Sequence, residues 1–302
     1  MRIVFMGTPD FAVPTLKELV DNGYDVVGVI TATDKERGRG KTVQPSPVKK
    51  YALENSLNVL QPKNLKAPDF QAELKALNAD LQVVVAFRML PASVFEMPPK
   101  GTINLHSSLL PEYRGAAPIN WAVINGETET GLTTFFIEQK IDTGELLFQH
   151  KMEIGWDETA GELHDRMMNA GGKLVLKTVK AIEVGNYKTT PQPQAETKPA
   201  PKIFKEDCEI DWNNPTRNIF DFIRGLSPYP AAFTVLKGNR FKVFKSKMEM
   251  NNNTPEAGTL KTDNKTFIKV ATQDGWLHLI DLQLAGKKRM RVEDLLRGFS
   301  FD

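Results

Sequence analysis

Residues 1–31, MRIVFMGTPDFAVPTLKELVDNGYDVVGVIT, decide the fold of the first half of the chain. Their pattern predicts a strand over residues 2–6, a turn over 7–10, a helix through residue 19 that ends at Asn22 and Gly23, and a second strand over 24–31. A strand, a helix and a strand of these lengths predict a parallel βαβ unit with a right-handed crossover. The first half of the chain is therefore expected to be of the α/β class.

The first turn argues against a dinucleotide site. It reads Gly7-Thr-Pro-Asp-Phe-Ala12 and contains one glycine. The Gly-x-Gly-x-x-Gly fingerprint needs glycines for the tight turn, for the approach of the pyrophosphate and for the packing of the helix. We therefore do not expect this βαβ unit to bind NAD.

Two further strands lead to the most informative side chains. Residues 80–87 (DLQVVVAF) have the apolar run that is typical of a strand buried in a parallel sheet. Residues 101–106 (GTINLH) predict a shorter strand, in which Asn104 and His106 point to one face and Leu105 points to the other. The pair lies at the carboxyl end of its strand, where open α/β sheets bind their ligands.

The chemistry of this pair suits the transfer of an acyl group. The Asn104 amide can donate to a carbonyl oxygen that gains charge, and His106 can donate a second hydrogen bond or move a proton. Asp142, in the turn Asp142-Thr143-Gly144, would orient the His106 ring if the fold brings the two together. Each motif alone is also common as an ordinary turn or a satisfied core residue. No serine or cysteine lies in a nucleophile elbow, which favours direct attack by the substrate's own amine.

The second half of the chain has a different pattern. Residues 188–204 contain four prolines and predict an extended linker. After it, five short β-type runs separated by turns predict a small Greek-key barrel, over residues 232–236, 241–244, 258–260, 267–270 and 277–282. The predicted organisation is thus a domain over residues 1–187, a linker over 188–204 and a second domain over 205–302.

The overall charge is close to neutral, with 39 basic and 37 acidic residues, so binding to nucleic acid would have to come from local clusters. One cluster alternates along the predicted loop over residues 32–47, as Lys35, Arg37, Arg39 and Lys41. The other is Lys287-Lys288-Arg289, within a stretch (237–291) where basic residues outnumber acidic ones by twelve to five. Such clusters are also common on ordinary solvated surfaces, but they fit contacts with phosphates.

The chain has one cysteine, Cys208, which excludes an internal disulfide and a metal site built from cysteines. A reducing compartment is the simplest home for such a chain. We therefore expect the protein to be cytoplasmic and to use no metal.

Residues 104–111 (NLHSSLLP) and 142–144 (DTG) resemble the signature of the folate-dependent formyltransferases, which is Asn-x-His-x-Ser-Leu-Leu-Pro followed later by Asp-x-Gly. Residues 113–118 (YRGAAP), the opening MRIVFMGTPDFAVPTL and the words PSPVKK and AGKK resemble the branch of that family that acts on a charged tRNA. The resemblance covers nearly the whole chain. It implies a Rossmann-like catalytic domain, without a dinucleotide, followed by an OB-like barrel domain.

The resemblance also implies the reaction and its participants. The formyl group of 10-formyltetrahydrofolate, a cosubstrate, would pass to the amino group of methionyl initiator tRNA for translation initiation, with no metal and no membrane involved. Asn104, His106 and Asp142 would be catalytic. The folate would contact two segments, Phe87, Arg88, Met89 and Leu90 in the first and Ser108, Leu109, Leu110 and Pro111 in the second. The tRNA would contact the two basic clusters, through Arg37, Arg39, Lys41, Lys287, Lys288 and Arg289.

The sequence departs from the resembling branch at one place. The tRNA branch commonly has Tyr-Gly where this chain has Phe87-Arg88, and Arg88-Met89-Leu90 is more similar to the small formyltransferases of purine synthesis. Those enzymes typically stop after the first domain, whereas formyltransferases of nucleotide-linked amino sugars keep a second domain of similar size. A non-catalytic RNA-binding protein with a relic enzyme domain is a further alternative, against which the intact set of three polar residues argues.

Overall fold

The computed structural model describes residues 1–37, 42–193, 197–251 and 253–301. The chain forms two compact units. The first unit consists of Met1–Gly115, Gly131–Met152 and His164–Pro199, and the second unit consists of Ala116–Thr130, Glu153–Leu163 and Ala200–Asp302. The linear division at residues 187 and 205 stays a prediction about domains, since the second unit also takes in two stretches from within residues 1–187.

The α-helices of the described residues are α1 (Val13–Asp21), α2 (Pro47–Glu54), α3 (Pro68–Ala76), α4 (Ala92–Phe95), α5 (Pro118–Ile124), α6 (Ala160–Val184), α7 (Thr216–Leu226) and α8 (Val292–Leu296). Short 3-10 helices cover Asp10–Ala12 and Glu206–Cys208. Four of the α-helices, α1, α2, α3 and α5, have a proline in their first turn, where no hydrogen-bond donor is needed. In the part of the chain that the structure describes, no helix is long and apolar enough to cross a membrane.

The strands of the described residues are β1 (Arg2–Gly7), β2 (Asp25–Ile30), β3 (Lys35–Arg37), β4 (Thr42–Gln44), β5 (Val59–Leu60), β6 (Leu81–Val85), β7 (Thr102–His106), β8 (Arg114–Gly115), β9 (Glu129–Phe136), β10 (Leu146–Glu153), β11 (Pro199–Ala200), β12 (Ala232–Leu236), β13 (Asn239–Met250), β14 (Leu260–Thr262), β15 (Ile268–Ala271), β16 (Gly275–Leu284) and β17 (Met290–Arg291).

The first unit contains a sheet of seven strands in the order β10-β9-β7-β6-β1-β2-β5. β1 pairs in parallel with β2 and β6, and β6 pairs in parallel with β7, while β9 is antiparallel to β7. The residues of β1 after Arg2 and all of β6 are buried, as their apolar runs predict. The predicted Rossmann-like α/β class is confirmed, and the strand order reverses between β1 and β6, which makes their carboxyl edge a switch point.

Residues 32–47 do not form the single long loop that their sequence predicts. β3 and β4 pair as an antiparallel ribbon, with Lys35 opposite Gln44. The base of the ribbon is fixed by Lys49, whose Nζ donates to Asp34 Oδ2 at 2.6 Å and to Gln61 Oε1 at 2.7 Å. Hydrogen bonds to Asp34, from Lys49 first and Gln61 second, lower the pKa of its carboxyl group. Alternating polar residues with no apolar face leave little sign of such a ribbon in the sequence.

The second unit contains an antiparallel sheet in the order β12-β13-β16-β15-β14, with β17 added to β16. β14, β15 and β16 follow one another as a meander, and β16 returns to lie beside β13, which is a Greek-key arrangement. The curled half-barrel confirms the predicted OB-like class, and the predicted run over 258–260 is shifted to Leu260–Thr262. Its core includes Phe241, Val243 and Leu277, all fully buried.

Helix α7 covers this core and is fixed at both ends by charged groups. At its start, Asp274 Oδ1 accepts from the Thr216 backbone N–H and from Thr216 Oγ1, each at 2.7 Å. These hydrogen bonds lower the pKa of Asp274. Near its end, Asp221 and Arg224 are both more than nine-tenths buried and form an ion pair of 2.6 Å. Such a pair is expected to be structural, since neither charge can reach water.

Candidate active site

Two neighbouring strands of the first unit, β6 and β7, end at the carboxyl edge of its sheet. Val84 pairs with Asn104 and Val85 with Leu105, so β6 leaves the sheet at the level of His106. The chain then turns at Ala86, which has a φ of 47°. The register therefore places the segment that follows β6 at the same edge as the two polar residues of β7.

Asn104 lies half-buried in β7, between Val84 of β6 and Phe135 of β9. Its neighbours Ile103 and Leu105 point into the core and are buried. Within residues 1–37, 42–193, 197–251 and 253–301, the Asn104 side chain makes no hydrogen bond. A half-buried amide without a protein partner can donate to the oxygen of a bound ligand.

His106 is 6% exposed at the end of β7. Its Nε2 lies 2.9 Å from the Tyr113 carbonyl oxygen. Because a carbonyl only accepts, Nε2 carries a proton, and this contact fixes the plane of the ring. The other nitrogen, Nδ1, is thereby left as the atom that can exchange a proton.

Asp142 faces that other nitrogen. Its Oδ2 lies 3.9 Å from His106 Nδ1 and accepts from the Gly115 backbone N–H at 3.1 Å. The residue has a φ of 54°, in the left-handed region that Asp tolerates better than most residues. The distance is longer than a hydrogen bond, so the two groups face each other without a direct bond. The structure thus brings together the three residues that the sequence singles out.

The turn that carries Asp142 leaves no space for a side chain at Gly144. A Cβ built there would lie 1.7 Å from the carbonyl oxygen of Phe136. The glycine of the Asp-Thr-Gly motif is therefore needed for close approach of two backbone segments, and not for an unusual φ. This approach brings the loop back onto the end of β9.

Residues 107–113 are held by hydrogen bonds of their own. Ser108 is fully buried, and its Oγ donates to the Glu112 carbonyl at 2.6 Å. Thr133 Oγ1 donates to the Ser108 carbonyl and accepts from the Leu110 backbone N–H. Leu110, with 3% exposure, packs inward, and the bond that joins it to Pro111 is cis. Among the four residues predicted here, only Leu109 and Pro111 keep partly exposed side chains, so Ser108 and Leu110 shape the loop.

The other predicted folate segment, residues 87–90, contains an arginine that folds away. Arg88 donates to the carbonyl oxygens of Pro62 and Lys63, and its guanidinium lies 5.6 Å from the centre of the Phe87 ring. Met89 is 70% exposed, whereas Leu90 is buried. Arg88 therefore bridges the segment to residues 62–63, which explains how the chain carries a long side chain at this place.

The basic residues have different surroundings. Lys287 and Lys288 are exposed. Arg289 donates from Nε and Nη2 to Asp281 Oδ2, at 2.8 and 2.6 Å, and its guanidinium lies 4.4 Å from the Phe244 ring centre. Arg289 thus forms an ion pair within its own hairpin. Arg37 belongs to β3, and Arg39 and Lys41 lie outside the described residues.

Sequence reasoning missed three residues that surround Asp142 and His106. Tyr113 supplies the carbonyl that orients His106, and Arg114 and Gln192 bind the backbone of the Asp142 turn. Their contacts run through main-chain atoms or span many residues, which leaves no local sequence signal.

Among the described residues, no group of three His, Cys, Asp or Glu side chains is arranged to hold a metal ion.

Comparison with family models gives two matches that together span most of the chain. Residues 1–179 match the model described as Formyl transferase. Residues 202–300 match the model described as Formyl transferase, C-terminal domain. The catalytic residues predicted above all lie within the first match.

Close relatives match the chain from end to end. The methionyl-tRNA formyltransferase of Bacteroides fragilis is 53% identical over 308 residues, which cover 99% of this chain and 95% of the relative. That of Flavobacterium johnsoniae is 55% identical over 306 residues, which cover 100% of this chain and 97% of the relative.

Solved structures share the fold at low identity. WlaRD, a sugar 3N-formyl transferase solved with dTDP and 5-N-formyl-THF, has a TM-score of 0.69 at 20% identity, and the match covers 95% of this chain and 99% of that chain. HypX from Aquifex aeolicus in complex with tetrahydrofolic acid has a TM-score of 0.66 at 18% identity, over 98% of this chain and 47% of that chain.

Proposed function

Since the chain belongs to the formyl transferase family, we propose that it transfers the formyl group of 10-formyltetrahydrofolate to the free amino group of methionyl initiator tRNA. The observation that carries the proposal is the geometry of Asn104, His106 and Asp142 at one edge of the sheet. An unpartnered amide lies on the same face as a histidine whose free nitrogen faces a carboxylate at 3.9 Å. This arrangement suits acyl transfer to an amine.

Asn104 stabilises the charge that develops during the reaction. The amine attacks the formyl carbon, and the electron pair of the carbonyl moves to the formyl oxygen. The Asn104 Nδ2–H donates to that oxygen, and the amide has no protein partner among the described residues that would have to be displaced first. Such preorganised donors act more strongly on the transition state than on the substrate.

His106 transfers the proton, and Asp142 stabilises the charged form of its ring. The attacking nitrogen must lose a proton, and the departing folate nitrogen must gain one when the carbon–nitrogen bond breaks. Nδ1 of His106 is the nitrogen available for this transfer, because Nε2 is bound to the Tyr113 carbonyl. Asp142 Oδ2 stabilises the imidazolium that forms and is itself fixed by the Gly115 N–H. No covalent enzyme intermediate is needed.

The folate donor rests on the family and on the geometry of the edge. WlaRD and HypX, which share this fold, were solved with folates. In this chain, the segment after β6 provides partly buried Phe87 and exposed Met89 at the level of His106. An apolar ring beside backbone polar groups suits a flat heterocycle such as a pterin.

The choice of tRNA as acceptor rests on the relatives and on the basic groups. Relatives that are more than half identical over the full chain are methionyl-tRNA formyltransferases. Exposed Lys287 and Lys288 suit phosphates, and Lys35 in β3 is exposed as well. A large polyanion bound by lysines should dissociate as salt rises, whereas a sugar nucleotide should respond only weakly. We place the reaction in the cytoplasm, the reducing compartment that a single cysteine favours.

A transfer assay with three acceptors tests the proposal. The full chain is supplied with 10-formyltetrahydrofolate and, separately, with methionyl initiator tRNA, elongator methionyl-tRNA and an amino-sugar nucleotide. We expect formylation of the initiator tRNA and steep inhibition by salt. Transfer to the sugar nucleotide alone would keep the catalytic residues and overturn the tRNA assignment, and no transfer to any amine would overturn the chemistry.

A further inference from the structure

A glutamine in the proline-rich segment reaches the active site. Gln192 lies between Pro191 and Pro193. A residue before proline is restricted to extended conformations, so the backbone at Gln192 is stiff before it makes any contact. Two residues earlier, Thr190 exchanges two backbone hydrogen bonds with Leu146 at the start of β10, of 2.9 and 3.0 Å. These two hydrogen bonds therefore hold the segment against β10, two residues before Gln192.

The carboxamide of Gln192 binds the Asp142 turn with both of its ends. Its Nε2 donates to the Asp142 carbonyl at 3.0 Å and to the Gly144 carbonyl at 2.8 Å. Its Oε1 accepts from Arg114 Nε at 3.1 Å and from Arg114 Nη2 at 2.5 Å. Arg114 Nε also donates to the Asp142 carbonyl at 3.0 Å. The two side chains together hold the backbone on either side of Thr143.

This clamp, formed by Gln192 and Arg114, acts on the orientation of the Asp142 carboxylate. Asp142 has a φ of 54°, a conformation that its surroundings must impose. Two donors on its carbonyl fix the peptide plane, and the Gly115 N–H fixes Oδ2. The carboxylate consequently faces His106 Nδ1, and loss of the clamp frees the turn to rotate.

The same segment also supports the other partner of His106. The Tyr113 N–H donates to the Lys198 carbonyl at 2.7 Å, and the Lys198 N–H donates to Glu112 Oε2 at 2.9 Å. The Tyr113 carbonyl is the acceptor for His106 Nε2. Residues on both sides of 194–196 thus bind the groups that orient the histidine ring from its two nitrogens.

We infer that Gln192 is a positioning residue for the formyl transfer, acting through Asp142, and that residues 190–193 belong to the catalytic machinery. The inference rests on the proposed function, since it assigns Gln192 a role in that reaction. A carboxamide is required at this place because only it supplies donors for two carbonyls and an acceptor for Arg114. Glutamate would keep the acceptor and lose the donors, and methionine would lose both.

Two substitutions of similar size test the role. Gln192→Met removes all the hydrogen bonds, and Gln192→Glu removes only those to Asp142 and Gly144. In steady-state transfer from 10-formyltetrahydrofolate to methionyl initiator tRNA, we expect each to lower kcat roughly tenfold to a hundredfold. The KM for each substrate should stay within about twofold, because Gln192 acts on the transition state through Asp142.

The matched control is Gln71→Met. Gln71 also donates a carboxamide hydrogen to a backbone carbonyl, that of Leu65 at 3.2 Å, and to Ser93 Oγ, but it makes no contact with the Asp142 turn. We expect it to change kcat by less than about twofold. If Gln192→Met folds poorly, Gln192→Glu serves in its place, and unchanged kcat per folded molecule in either variant overturns the inference.

A double-mutant cycle separates positioning from a general structural role. In an Asp142→Asn background, Gln192→Met should have little further effect, because the group through which it acts is gone. If its full loss is repeated in that background, Gln192 does not act through Asp142 and the inference fails. If Asp142→Asn itself transfers formyl at the normal rate, the proposed catalytic roles fail instead, so the two failures are distinguished.

Discussion

The two units of the protein use polar side chains in opposite ways. At the sheet edge of the first unit, Asn104 has no partner among the described residues, and the His106–Asp142 pair is open at 3.9 Å. In the second unit, Asp221, Arg224 and Arg289 are paired at hydrogen-bond distance. The amide without a partner and the open pair suit a site that binds a ligand, whereas the closed ion pairs suit a structural role.

The largest effect is expected at the buried ion pair of Asp221 and Arg224, and it is a loss of stability. Asp221 accepts from Arg224 Nε and Arg217 Nε, each at 2.6 Å, and Arg224 is 4% exposed. Asp221→Ala leaves that arginine buried without its counter-charge, so we expect a loss of about 3–5 kcal/mol in the free energy of unfolding, measured by urea titration.

A matched surface pair provides the control for this stability prediction. Arg297 and Asp294 form an exposed pair, with 79% and 51% of their side chains accessible. Arg297→Ala should change stability by no more than about 0.5 kcal/mol. Equal losses in the free energy of unfolding from both substitutions would contradict the prediction, because burial of the Asp221 pair would then have no effect on its contribution to stability.

The next largest effect is expected at the open pair of His106 and Asp142, and it is a loss of rate. Asp142→Asn keeps the shape of the side chain but removes the charge that faces His106, so we expect kcat to fall about 10²- to 10³-fold. The urea midpoint should barely move, because the pair is not a closed ion pair. A variant that lost stability and kept its rate would reverse the comparison between the two units.

Within the basic cluster, the exposed lysines and the paired arginine should separate. Replacing Lys287 and Lys288 with alanine should weaken tRNA binding about tenfold and reduce the slope of log affinity against log salt by about one for each phosphate that is no longer bound. Arg289→Ala should change that slope less than the replacement of the two lysines does, because Arg289 is bound to Asp281. A larger change in slope for Arg289→Ala would mean that Arg289, and not the lysines, binds the phosphate.

The smallest effect concerns the cap of α7 and depends on pH. Hydrogen bonds from Thr216 lower the pKa of Asp274 below its ordinary value of 3.8. The stabilisation is therefore present above the unfolded pKa and is lost as pH falls through the folded one. Asp274→Asn should cost about 0.5–1 kcal/mol at pH 7 and nothing at a pH well below the folded pKa. Urea unfolding at both pH values checks this, and a constant difference would contradict it.

The sequence predicts the parts of the site that are local. Alternation along β7 places Asn104 and His106 on one face, and the apolar run of β6 predicts the buried neighbour. The position of Asp142 follows only from the resemblance, because 36 residues separate it from His106. The ribbon β3–β4 has no apolar face, so its sequence pattern is typical of a loop.

The missed contacts share one physical reason. Gln192 lies 50 residues from Asp142 and binds main-chain carbonyls, which every residue carries. Composition therefore predicts an extended linker, but which carbonyls Gln192 meets depends on the whole fold. Arg289 is similar, because its pairing with Asp281 depends on the hairpin between β16 and β17.

Single-turnover formylation of methionyl initiator tRNA by Asn104→Ala, beside the unaltered protein, tests most directly whether the Asn104 amide stabilises the formyl oxygen. Both proteins are given saturating 10-formyltetrahydrofolate, and their urea midpoints are compared first. We expect the substitution to lower the rate about 10²- to 10³-fold, because the donor to the formyl oxygen is gone. A rate within about twofold of the unaltered protein would contradict it, since the reaction would then have to occur without the Asn104 amide.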